Sequence, residues 1–149
     1  MNFQPPMNQE RDRVEERQVK DYMTTRLITF EPDEDIGHVI NILVSHQISG
    51  APITDRSHKL VGMISERDCL RVLIDADYMD QPAGHLPVSR YMSTDAVTVS
   101  PHTTIRDVAN LFFNTHYKRF PVIYEGKLIG QISRSDVLRA AQSLQPGRE

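Results

Sequence analysis

Two short stretches of the chain carry residue types that could hold a ligand. Gly62-Met63-Ile64-Ser65-Glu66-Arg67-Asp68 and Gly130-Gln131-Ile132-Ser133-Arg134-Ser135-Asp136 share the pattern G-x-I-S-x-x-D. In each, a β-prone run leads into a helix start. A serine followed three residues later by an acid is a capping box, in which the two side chains satisfy each other's backbone N–H groups. The same geometry suits a sugar phosphate. A helix N-terminus leaves N–H donors unpaired and carries partial positive charge, which favours a phosphate. Ser133 and Ser135 add hydroxyl donors. A carboxylate one turn inside can accept both hydroxyls of a vicinal diol such as ribose, in charge-assisted bonds of about 1.5–3 kcal/mol each. Capping and ligand binding are not exclusive, because a ligand can replace the intramolecular bond.

Other chemistry is poorly supported. The six histidines (38, 46, 58, 85, 102 and 116) show no H-x-x-x-H or Cys/His ligand spacing, so a metal site is not expected. The single cysteine, Cys69, excludes an intramolecular disulfide and reads as a small core residue on a helix. G-x-S-x-G, G-x-x-x-x-G-K-[ST] and G-x-G-x-x-G do not occur, and nothing groups a Ser/His/Asp triad. Phe112, Phe113 and Phe120 read as core packing.

The elements that must position these residues occur twice. Residues 19–55 lie over 88–124, and 59–71 lie over 127–139 after a one-residue loop deletion. Identical pairs include Tyr22/Tyr91, Met23/Met92, Pro32/Pro101, Pro52/Pro121, Gly62/Gly130, Ser65/Ser133 and Asp68/Asp136. Each copy opens on a β-prone stretch, Leu27–Phe30 or Ala96–Val99. An amphipathic helix follows, with apolar residues at Ile36, Val39, Ile40, Leu43 and Val44, and again at Ile105, Val108, Ala109, Phe112 and Phe113. Two β runs come next, Ala51–Thr54 with Leu60–Ile64 and Phe120–Tyr124 with Leu128–Ile132. The second pair is joined by a hairpin-type Glu125-Gly126 turn. A second helix lies near Glu66–Asp75 and near Arg134–Leu144. The fold class is therefore α/β, built from two β-α-β-β-α units. One unit buries little surface alone, and two related by a pseudo-two-fold can pack sheet against sheet with helices outside. The organisation is a charged arm at 1–18, a first unit at 19–75, a linker at 76–87, a second unit at 88–144 and a tail at 145–149. The arm is either a solvated helix or frayed tail, or a helix that docks on a partner.

Length and charge agree with a soluble module of this kind. The chain has 149 residues, 39% of them hydrophobic, and 17 Lys+Arg against 20 Asp+Glu. A net charge of -3 argues against nucleic acid as the main partner. No apolar run approaches the roughly 18 residues of a membrane span, and no signal peptide is recognisable. A reducing, cytoplasmic compartment is expected.

The doubled motifs resemble a tandem pair of CBS motifs, the Bateman module. The resemblance rests on VxxYM, T(V/F)xP before the first helix, the (S/R)xxPV-like hairpin start and G-x-I-S-x-x-D, and it covers residues 19–142. It implies a family that mostly does no chemistry, binds adenosine-containing ligands in clefts between the two motifs and pairs into dimers. It also implies a phosphate-binding set at Arg119, Ser133, Ser135 and Asp136, with the adenine near Lys20, Thr25, Ile48 and Ser49. The mirror cleft would use Ser65, Arg67 and Asp68, with the base near Ser89, Thr94, Tyr117 and Lys118. There Gly50 replaces the arginine, and Arg67 partly compensates.

The sequence thus predicts a free-standing, non-catalytic regulatory module. Its regulatory ligand is an adenine nucleotide, AMP or ATP, with no other cofactor. Its partners are a second copy of the chain and an effector protein. A dimerisation or interaction module that binds nothing small is the rival. Ile42 and Leu111, beyond the core stripe of the first helices, are the expected helix-to-helix interface.

Overall fold

The computed structural model describes residues 17–75, 80 and 85–143. Most of the arm and linker, and the whole tail at 145–149, lie outside the described residues. The chain runs α1 (Ile36–Ser45), β1 (Gly50–Thr54), β2 (Leu60–Ser65), α2 (Glu66–Leu70), α3 (Ile105–Phe113), β3 (Arg119–Tyr124), β4 (Lys127–Ser133) and α4 (Arg134–Ser143). Short 3-10 turns stand at Val19–Asp21, Arg71–Ile74 and Val88–Arg90. Each copy thus contributes a two-stranded hairpin and helices, an α/β arrangement repeated twice.

Local signals fix these elements. Asp35 caps α1 by accepting from His38 N at 3.2 Å, and Thr104 caps α3 by accepting from Asp107 N at 3.1 Å. Strand β1 pairs antiparallel with β2, from Gly50 opposite Ser65 to Thr54 opposite Leu60. The β3–β4 turn has φ of 50° at Glu125 and 78° at Gly126, the left-handed pair that a two-residue hairpin requires.

The β-prone stretches at Leu27–Phe30 and Ala96–Val99 do not form strands. Each makes one parallel bridge, Phe30 with Ile53 and Val99 with Val122. The repeated prolines explain this. Phe30 N donates to Pro52 O at 3.1 Å, and Phe30 O accepts from Thr54 N at 2.8 Å. The next ladder bond would need an N–H at Pro52, or at Pro121 in the second copy, and proline has none.

The chain forms two compact units that do not coincide with the two sequence copies. The first-copy unit takes described residues 26–75, 80, 85–96 and 125–128; the second-copy unit takes 17–25, 97–124 and 129–143. The lead-in segment of each copy has therefore crossed into the other copy's unit. Val88 is fully buried among Ile36, Val39, Ile53 and Ile64, and Val19 among Ile105, Val108, Phe120 and Ile132. Burying a valine contributes about 1.5–3 kcal/mol, so each lead-in is anchored by its own apolar residue. Backbone bonds add to this: Thr24 and Gln131 exchange bonds of 2.8 and 2.9 Å, and Met63 and Ser93 exchange two of 2.8 Å.

Glycine makes the close approach possible. A Cβ on Gly62 would stand 2.6 Å from Met92 Sδ and 2.9 Å from Ser93 O, and one on Gly130 would stand 2.8 Å from Met23 Sδ. The Tyr-Met of each lead-in thus lies over the glycine of the other copy.

The helix stripes are narrower than the sequence predicts. Ile36, Val39 and Leu43 are buried in α1, and Ile105, Val108 and Phe112 in α3. Val44 is 71% exposed and Phe113 is 88% exposed, so Phe113 is not core. At about 100° per residue these positions lie about 80° round from the first stripe residue, at the edge of the buried face. Ile42 and Leu111 are half-buried and pack against the cores of their own units.

Candidate functional site

Both G-x-I-S-x-x-D stretches run from a strand end straight into a helix. In the first-copy unit Asp68 Oδ2 accepts from Ser65 N at 3.0 Å and Ser65 Oγ at 2.9 Å, while Ser65 Oγ accepts from Asp68 N at 3.1 Å. In the second-copy unit Asp136 Oδ2 accepts from Ser133 N at 2.8 Å, and Ser133 Oγ accepts from Asp136 N at 3.2 Å. Each carboxylate spends Oδ2 on the cap and turns Oδ1 towards an arginine one turn on. Arg139 hydrogen-bonds Asp136 Oδ1, whereas Arg71 stands 3.8 Å from Asp68 Oδ1. Asp136 is 7% exposed, a buried carboxylate whose acceptors are met by the cap and one cation.

Asp68 lines a cavity of about 590 Å³ within its unit, with Arg67, Leu70, Arg71, Met92 and Ser93 around it. Two guanidiniums, a carboxylate, a hydroxyl and a thioether together suit a ligand with an anionic and an apolar part. Nearby, the Cys69 thiol is pushed up to about 11, first by burial and then by the charges of Asp68 and Glu66. It packs against the core of its unit, as the sequence predicts.

Family comparison decides what this doubled arrangement is. The family model for the CBS domain matches twice, over residues 19–75 and 88–143. The chain belongs to the CBS-domain family.

Several known proteins are similar to this chain. The CBS domain-containing protein YhcV of Bacillus subtilis is 29% identical over 119 residues, covering 80% of this chain and 81% of the relative. The uncharacterized protein MJ1225 of Methanocaldococcus jannaschii is 29% identical over 121 residues, and there the match spans 41% of the relative's length. The crystal structure of CBSX2, a CBS-pair protein from Arabidopsis thaliana, in complex with AMP superposes with a TM-score of 0.75 at 30% identity. It covers 86% of this chain and 98% of that one.

Within each CBS unit the structure gathers part of the sequence-predicted set. Ser65, Arg67, Asp68, Ser89, Thr94, Ile48 and Ser49 belong to the first-copy unit, and Lys20, Thr25, Tyr117, Lys118, Arg119, Ser133, Ser135 and Asp136 to the second. Ser49 lies at its own copy's helix start, its carbonyl accepting from Glu66 N at 2.9 Å; Lys118 does the same for Arg134 N at 3.3 Å. The expected grouping of Ile48 and Ser49 with Asp136, and of Tyr117 and Lys118 with Asp68, draws on both units. Gly50 stays a glycine for a steric reason, since a Cβ there would lie 2.7 Å from Ile64 O. Sequence reasoning missed Arg71 and Arg139. Their signal was present as a D-x-x-R spacing repeated in both copies.

Proposed function

We propose that the chain is a non-catalytic regulatory module whose CBS pair binds an adenosine-containing nucleotide. Ser65, Arg67 and Asp68 serve one cleft, and Arg119, Ser133, Ser135 and Asp136 the other. The base would lie near Ser89, Thr94, Tyr117 and Lys118 in the cleft of Asp68, and near Lys20, Thr25, Ile48 and Ser49 in the cleft of Asp136. The observation that carries this reading is the doubled helix start, where a carboxylate already oriented by its cap keeps Oδ1 within an arginine's reach. A vicinal diol can take that oxygen, and the helix start suits the phosphate. The complex of CBSX2 with AMP supports the ligand class.

The mechanism is a population shift. The nucleotide favours one conformation of the CBS pair over another, by no more than its difference in affinity for the two. A homodimer would present that state to an effector protein, in the reducing cytoplasm that a chain with one cysteine suits. Among the described residues no helix is long and apolar enough to cross a membrane.

Thermal-shift and calorimetric titration with AMP, ADP, ATP, NAD and S-adenosylmethionine test the reading. Binding stabilises by RT ln(1 + [L]/Kd), so at least one of these should raise Tm at millimolar concentration. Asp136→Ala should weaken that ligand about 10–100-fold. A flat response to the whole panel would leave the rival reading, a dimerisation or interaction module. That rival is favoured by the exposed apolar residues Val44, Leu70, Phe113 and Leu138, which occupy matching positions in the two copies.

A further inference from the structure

One arginine ties each candidate carboxylate to the backbone of a lead-in segment. In the first-copy unit Arg71 donates to the Tyr91 carbonyl and stands 3.8 Å from Asp68 Oδ1. In the second-copy unit Arg139 hydrogen-bonds Asp136 Oδ1 and reaches the Tyr22 carbonyl at 3.4 Å. The same planar fork thus shows two settings, one weighted to the carbonyl and one to the carboxylate. The tyrosine is held at its other end as well. Tyr91 Oη donates to Asp75, and Tyr22 Oη bonds Ser143 Oγ at 3.2 Å, two residues that align in the repeat. The next residues of the lead-in are those bridged to the strand, Ser93 to Met63 and Thr24 to Gln131.

We propose that Arg71 and Arg139 are positioning residues that report occupancy of the neighbouring carboxylate to the lead-in segment. The proposal rests on the nucleotide-binding reading above. A diol that donates to Asp136 Oδ1 takes the acceptor that Arg139 now uses. The guanidinium then moves its weight to the Tyr22 carbonyl, the setting that Arg71 already shows, and grips the lead-in harder. Asp68 is the less tightly paired of the two, so the first-copy unit has less left to shift. The response to ligand is therefore larger at residues 19–25 than at 88–94.

Hydrogen exchange read by mass spectrometry on the full chain, with and without AMP, tests this beside calorimetric affinity. In the wild type AMP slows exchange several-fold at residues 19–25, and less at 88–94. Arg139→Gln keeps AMP affinity within about tenfold but loses the slowing at 19–25. A merely structural arginine would raise exchange with and without ligand alike and leave the ligand-dependent difference intact. Persistence of that difference in Arg139→Gln overturns the relay, as does a wild type that binds AMP with unchanged exchange at 19–25. If Arg139→Gln does not fold, Arg139→Lys, which keeps the charge and loses the planar fork, is read at 19–25 in the same way. A wild type that binds none of the nucleotide panel overturns the nucleotide reading itself, and the relay with it.

Discussion

Replacing Asp136 separates the structural duty of the carboxylate from its proposed binding duty. In Asp136→Ala, Ser133 N loses the acceptor it holds at 2.8 Å. A buried donor left without a partner costs about 1–3 kcal/mol. The lost pair with Arg139 adds little, because the arginine side chain is 60% exposed and such pairs contribute about 0–1 kcal/mol. Alanine returns a few tenths through its better helix propensity. The net loss is about 1.5–3 kcal/mol, or a fall in Tm of roughly 4–10 °C for a chain of this size. Asp136→Asn keeps an amide oxygen for Ser133 N, so its loss should stay below about 1 kcal/mol. It removes the charge that strengthens a bond to a diol, and AMP affinity should still fall about tenfold. Thermal unfolding followed by circular dichroism, with calorimetric titration of the same samples, reads both effects. An alanine variant that melts with the wild type would refute the capping argument. An asparagine variant that binds AMP as the wild type does would refute the assignment of Asp136 to the ligand.

Gly62→Ala should destabilise by about 1–3 kcal/mol through overpacking, read as a lower denaturant midpoint. Adding Met92→Ala should recover only part of that loss, because the Ser93 carbonyl still stands 2.9 Å from the new methyl. If the proposed homodimer pairs through the exposed Val44 and Phe113, Val44→Asp combined with Phe113→Asp should give a monomer in light scattering, whereas Ile42→Asp should chiefly unfold the chain, because Ile42 packs against the core. For Cys69 the thiol is raised from 9.0 to about 11. Alkylation should therefore keep accelerating up to about pH 11, without a plateau near 9, and faster in Asp68→Asn. The native state holds the proton longer than the unfolded chain, so this contribution is complete below pH 9 and is lost as pH rises through 11.

Periodicity and duplication made most of the fold readable. The α1 and α3 stripes, both hairpins and the Ser65/Asp68 and Ser133/Asp136 caps follow from spacing within a few residues of one another, where local physics decides. The missed features depend on partners far along the chain. Leu27–Phe30 has the composition of a strand, but its ladder ends because Pro52, more than twenty residues later, has no N–H to give. Phe113 fits an apolar stripe, but exposure at its edge depends on which elements pack there. The identity of Gly62 with Gly130 and of Met92 with Met23 was visible, yet their mutual contact needs the crossing of the lead-ins, which no local pattern encodes. At the candidate site the carboxylates were legible and their arginines were not, because a D-x-x-R spacing on a helix more often reads as a solvated pair.

The crossing of the lead-ins bears on how the chain is born. The core around Val19 also needs Phe120 and Ile132, so it cannot close on the ribosome until more than a hundred further residues have emerged. The core around Val88 needs residues only as far as Met92, and can form first. Gene duplication has thus produced two look-alike stretches that are not interchangeable during synthesis. Each unit is completed only by the opening residues of the other copy.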